Sequence, residues 1–135
     1  MSSQERMSGT ILIVDDDPDF RLQERIQLEA VGFTVLEAET ESEARRIFQE
    51  RTPDLAIVDL MLENMDDGFM LCHFIKRKFP SVPVIMVSAV TSETGIGFDA
   101  STDEERSWIK ADAFLSKPLR FEQMFREIKR LLADE

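Results

Sequence analysis

Short runs of β-branched and other apolar residues alternate along this chain with segments of helical period, the signature of βα units wrapped around a parallel sheet. Five units are expected. The first strand covers residues 10–14, and Pro18 then sits where a first helical turn tolerates it, with Asp17 as the cap. Gly32 stops that helix at about residue 31, and residues 33–37 form the second strand. Thr40, Glu41, Ser42 and Glu43 match a capping box ahead of Ala44, Ile47 and Phe48 on one helical face. Pro53 ends this helix before a third strand at 54–58, and Gly68 precedes a helix carrying Leu71, Ile75 and Phe79, which Pro80 closes. Residues 82–87 are almost continuously apolar, as a central strand buried on both faces requires, and 113–115 make a short fifth strand. In the last helix Phe121, Met124, Phe125, Ile128, Leu131 and Leu132 recur at helical spacing, with Lys129 and Arg130 near the end where the helix dipole favours cations.

A chain of 135 residues with 43% hydrophobic composition has enough apolar surface for one core and not for two. Residues 10–135 are therefore expected to be one domain, preceded by a polar, disordered tail at 1–9. Sixteen basic against 27 acidic residues give a net charge of −11, which disfavours nucleic acid and anionic membranes as partners. Cys72 is the only cysteine, so no internal disulfide forms, and it reads as a core residue rather than a reactive thiol. No stretch has the length and apolarity of a signal peptide or a membrane span, and the expected location is cytoplasmic.

Several apolar runs end in charge or in a hydroxyl. The first ends in Asp15, Asp16 and Asp17, the third in Asp59, the fourth in Ser88, and the fifth in Ser116, Lys117 and Pro118. In a parallel sheet these ends share one edge, so the side chains converge in one cleft. Carboxylates about 4 Å apart repel by roughly 4 kcal/mol at an effective dielectric near 20, a cost that a hard cation with oxygen ligands relieves. Mg²⁺ suits that task, with Asp16 and Asp59 supplying carboxylates. A cation there also lets a carboxylate oxygen attack phosphorus, so Asp59 reads as a phosphoryl acceptor. Ser88 offers a hydroxyl and Lys117 an ammonium to the oxygens of the resulting acyl phosphate.

In this order these residues resemble the receiver domain of two-component response regulators. The likeness runs from Ile11 to Leu132 and rests on the acidic turn from Val14 to Pro18, on the run from Asp54 to Leu60 with Asp66, Asp67 and Gly68 beyond it, on Ser88 and Ala89, and on Lys117 and Pro118. The resemblance implies a flavodoxin-like (βα)5 fold, a doubly wound parallel sheet with strand order 2-1-3-4-5. It implies phosphotransfer to Asp59 from a sensor histidine kinase or a phosphotransfer protein, and signalling to a downstream protein target without direct binding of nucleic acid. By the same resemblance Asp15 and Asp16 organise Mg²⁺ and the backbone carbonyl of Met61 is a further ligand. Lys117 contacts the phosphoryl group, Ser88 senses it, and Phe114 is the aromatic partner in the switch. Such a domain phosphorylates and dephosphorylates itself and is not otherwise an enzyme.

The chain departs from the family's pattern at Glu63, where a proline is usual, and in the stretched turn Met65, Asp66, Asp67, Gly68. Between Ser88 and Lys117 the segment is longer than usual, and residues 91–103 are expected to be a mobile loop, with Trp108 and Ile109 as apolar anchors beyond it. His73 is read as a solvated helical residue without a phosphoryl-carrying role. A phosphohydrolase with an Asp nucleophile would need a second carboxylate at the position of Met61, and a flavin carrier would need a phosphate cradle where three aspartates stand. The stronger alternative is a degenerate receiver that binds partners without phosphorylation. The expected form is a stand-alone receiver, and a piece of a longer regulator would show the same sequence.

Overall fold

The computed structural model describes residues 8–60, 62, 67–88 and 111–133. Most of the tail expected to be disordered (1–7), Met61, Glu63, the expected 91–103 loop and Trp108 lie outside the described residues. Along the chain the elements are β1 (Thr10–Val14), α1 (Pro18–Ala30), β2 (Thr34–Ala38), α2 (Glu41–Glu50), β3 (Leu55–Asp59), α3 (Asp67–Lys78), β4 (Val84–Ser88), β5 (Ala113–Ser116) and a C-terminal helix, α4 (Phe121–Ala133). The strands pair in parallel in the order β2-β1-β3-β4-β5. This is the flavodoxin-like order that the family resemblance implies.

Each central strand divides its side chains between two cores, because alternate residues point to opposite faces. Leu12, Val14, Ala56, Val58, Val84 and Met86 pack with Ala44 and Phe48 of α2 and with Leu71 and Ile75 of α3. Ile11, Ile13, Leu55, Ile57, Ile85 and Val87 pack with Leu28 of α1 and with Met124 and Ile128 of α4. Helices on both faces are why the strands are apolar at every position rather than at every second one.

Element boundaries differ from the expectations where a backbone group is committed elsewhere. Phe33 is not in β2: its amide donates to Leu28 O and that of Gly32 to Glu29 O, a Schellman ending for α1 in which Gly32 takes φ +114°. Asp54 precedes β3 and holds its register from outside, accepting from the Thr10 amide at 2.7 Å. Val82 spends its amide on Phe79 O, and β4 starts two residues later. Gly68 lies inside α3 rather than before it. Thr40 caps α2 as expected, accepting from the Glu43 amide at 3.1 Å, while the Glu43 carboxylate reaches back past the cap to the Glu39 amide at 2.7 Å.

Leu28 of α1 is buried in the usual way, but three other positions of that helix run against the usual polarity. Glu24 is buried at 1% exposure, whereas Leu22 and Ile26 are 55% and 59% exposed.

Candidate functional site

The site lies where the strands end. Val14 of β1 is level with Val58 of β3, so Asp15 and Asp59, each one step further, emerge side by side from neighbouring strands. Asp59 in turn is level with Val87, and Ser88 with Ser116. The Lys117 amide then donates to Ser88 O at 2.9 Å, which carries the β4–β5 pairing to the residue that bears the ammonium; the Lys117–Pro118 peptide is cis. Chain topology alone therefore brings one carboxylate, a second carboxylate, a hydroxyl-bearing residue and an ammonium to the same edge.

Asp15 and Asp59 are buried and Asp16 is exposed, and ligand oxygens of the three all lie within 4.8 Å of one another. Lys117 Nζ donates to Asp15 Oδ2 at 2.9 Å and to Asp59 Oδ2 at 3.4 Å. The other Asp15 oxygen accepts from the Asp17 amide at 2.9 Å, so both of its oxygens are engaged. Burial works to lower the Lys117 pKa, but the hydrogen bond to Asp15 and the charges of Asp59 and Asp15 outweigh it and hold the ammonium above its ordinary value. Its other contact is the Phe20 ring, whose centroid is 4.5 Å from Nζ.

Two further residues support the site without supplying a group to its chemistry. Arg21, on the first turn of α1, donates to the Asp15 backbone carbonyl at 2.6 Å and to Glu37 at 2.9 Å, tying the acidic turn to the end of β2. Burial works to raise the Glu37 pKa, but Arg25 and Arg21 outweigh it and hold the carboxyl below the usual carboxylate range. Opposite them, Gly68 donates to Leu60 O at 3.2 Å, and a Cβ on Gly68 would overlap the carbonyl oxygens of Asp59 and Leu60. Only glycine lets α3 begin this close to the end of β3. An acidic turn followed by a basic residue one helical turn on, and a glycine at a strand-to-helix junction, are the signals that point to these two positions.

Of the remaining predicted residues, Ser88 is half-buried at the end of β4, and Phe114 is half-buried against the core on the α2–α3 side. Met61, the expected backbone ligand, is outside the described residues. Cys72 is fully buried, and burial pushes its thiol up to about 12, which fits a core residue and not a nucleophile. His73 sits on α3, and none of the hydrogen bonds described at the acidic edge involves it.

Residues 11–129 match the family described as the response regulator receiver domain. Among curated proteins the chain is similar to the DNA-binding dual master transcriptional regulator RpaA of Synechocystis sp., at 32% identity over 126 residues, covering 90% of this chain and 48% of that protein. It is also similar to the heme response regulator HssR of Staphylococcus aureus, at 31% identity over 125 residues, covering 90% of this chain and 50% of that protein. The chain thus spans about half the length of these curated relatives. Among solved structures it resembles a response regulator receiver domain protein (CheY-like) from Methanospirillum hungatei, with a TM-score of 0.79 and 26% identity, covering 95% of this chain and 96% of that one. The signal receiver domain of a signal transduction histidine kinase from Syntrophus aciditrophicus is similar too, with a TM-score of 0.78 and 29% identity, covering 93% of this chain and 91% of that one.

Proposed function

The chain belongs to the response regulator receiver domain family, and we propose that it accepts a phosphoryl group on Asp59 from a histidine kinase or a phosphotransfer protein and relays it as a change in partner binding. The observation that carries this reading is the placement of the buried Asp59 carboxylate beside Asp15, Asp16 and the Lys117 ammonium at one sheet edge. In the transfer, an Asp59 oxygen forms a bond to phosphorus as the donor's P–N bond breaks, and the bonding pair leaves with the donor's imidazole, which takes up a proton.

The donor set fits Mg²⁺. Three carboxylates and one ammonium leave two uncompensated negative charges, and the ligands are hard oxygens from residues already gathered without an ion. Asp15, Asp16 and Asp59 would hold it, with the Met61 backbone carbonyl as the further ligand that family resemblance suggests. When bound, the ion neutralises charge on the transferred group's oxygens. The chain's own residues supply the rest: Asp15 holds Lys117 at the cleft, Arg21 and Gly68 fix the backbone on either side, and Lys117 faces the phosphoryl oxygens. Ser88, whose carbonyl is bonded to the Lys117 amide, is the hydroxyl that senses the group, and Phe114 the ring that passes the change to the surface.

No helix among the described residues is long and apolar enough to cross a membrane. With a net charge of −11 the downstream partner is a protein rather than DNA, and the role is signalling, with self-phosphorylation and self-dephosphorylation as its only chemistry. Incubation with acetyl phosphate and Mg²⁺ followed by intact-mass measurement tests the reading. A gain of one phosphoryl group is expected and should vanish in Asp59→Asn. A gain that survives that substitution, or that requires His73, would overturn the assignment, and no gain at all would favour the phosphorylation-independent interaction module.

A further inference from the structure

A groove of about 640 Å³ opens between α2 and α3, lined along α3 from Met70 in its first turn to Lys78 at its end. Although the chain carries a net charge of −11, the charged residues that line this groove are all basic: Arg45 from α2, and Lys76, Arg77 and Lys78 from α3. Cations in the last turn of a helix have an ordinary explanation in the helix dipole. Lys76 meets that description, because its ammonium donates to Pro80 O at 3.3 Å, to Val82 O at 3.2 Å and to Asp112 at 3.0 Å, closing the helix end.

The other cations are not consumed in this way. Arg45 pairs with Glu41 on its own helix and lies 4.6 Å above the Phe74 ring. Lys78 stands 5.9 Å from the same ring, and neither it nor Arg77 has a carboxylate partner among the described residues. About two helical turns before them, at the other end of the groove, Met70 is 49% exposed, one of three large apolar side chains so placed among the described residues. The groove therefore offers charge and an apolar contact together, on a face that takes no part in the phosphoryl chemistry.

We propose that the α2–α3 groove docks an acidic segment of a partner protein, with carboxylates against Arg77 and Lys78 and an apolar side chain against Met70. Charge complementarity selects the occupant. A local cluster of cations within an acidic molecule attracts a short acidic segment while repelling a long polyanion, whose charges extend beyond the groove over the surrounding surface. A nucleotide base would look for an open aromatic face, but Phe74 is buried and its ring is already attended by Arg45 and Lys78. A peptide asks for less: two or three ion pairs at the rim and one buried apolar contact.

The probe is a fluorescein-labelled peptide in which a leucine is flanked on each side by glutamates, titrated against the full chain by fluorescence anisotropy. Binding is expected, weakening with salt and falling by at least about tenfold in the double variant Arg77→Glu, Lys78→Glu, whose thermal melt shows that it remains folded. Because both positions are exposed on the helix surface, Met70→Ser serves as a second variant that removes the apolar contact without altering charge. The proposal fails if the peptide does not bind, if its glutamine counterpart binds equally, or if both variants bind as the native chain does. It fails equally if inorganic phosphate or a single-stranded oligonucleotide displaces the peptide from the groove, or if sedimentation shows that the groove is filled by a second copy of the chain.

Discussion

The Lys117 ammonium sits closer to Asp15, at 2.9 Å, than to Asp59, at 3.4 Å. It is thus anchored by the carboxylate that is not proposed to react, leaving the acceptor carboxylate the weaker of its two partners and free to exchange it for phosphoryl oxygens.

Lys117 pairs with both buried acids. In Lys117→Met, Asp15 and Asp59 keep their burial and lose that compensation, so stability without a divalent ion should fall by about 2 kcal/mol, less than for a fully buried pair because the lysine is partly exposed. Urea unfolding with and without Mg²⁺ checks this. The stabilisation brought by Mg²⁺ should be larger in the variant than in the native chain. An equal or smaller gain would show that the ion does not answer the same charges.

Asp16 is the exposed member of the acid cluster, and among the described residues it has no hydrogen bond like those that engage Asp15. If the cluster holds Mg²⁺, a hundredfold excess over the dissociation constant stabilises the fold by about 2.7 kcal/mol. Asp16→Ala should remove most of that shift while changing the metal-free melt little. Identical magnesium-dependent melting shifts in the two proteins would place the ion elsewhere.

These features were legible to different degrees. Ile11 and Leu12 point to opposite faces, so an apolar residue at every position already implied cover on both, and charges closing such strands had only the sheet edge to occupy. Frame errors of a residue or two arose where apolar character and backbone commitment part company: Phe33 and Val82 are buried like strand residues, yet their amides close turns. Asp54 is the converse, a side chain imitating a backbone partner for Thr10. Arg21 was hidden because its target is a backbone carbonyl, and Glu24 because a glutamate flanked by polar helix residues reads as surface when only the fold decides which stripe faces the sheet.

Gly68 tests how closely the junction after β3 controls the acceptor. In Gly68→Ala the new methyl group meets the backbone carbonyls of Asp59 and Leu60, atoms that cannot rotate away, so α3 or the strand end must move. A loss of about 1–3 kcal/mol is expected, together with slower phosphorylation by acetyl phosphate, measured as the rate of mass gain. Native stability and rate in the variant would mean that the junction relaxes without disturbing Asp59.

The last prediction concerns Glu24. Its carboxyl is 1% exposed, one of its oxygens has no hydrogen-bond partner, and burial pushes its pKa from 4.5 up to about 7. Since the folded value is above the unfolded one, the stability that the neutral carboxyl contributes is fully present below about pH 4.5 and is lost as pH rises through about 7. The charged form is the costly one, and no neighbouring charge is among the causes of the shift. Glu24→Met removes the titration and fills the same space with an apolar chain. Urea unfolding should therefore show the variant gaining on the native protein by about 3 kcal/mol between acid and mildly alkaline buffer, with the whole gain falling between pH 4.5 and a little above 7. The difference between the two proteins, rather than either curve alone, isolates Glu24 from the many other carboxylates. A difference that stays flat across that window would mean that the Glu24 carboxyl reaches water or a partner in solution.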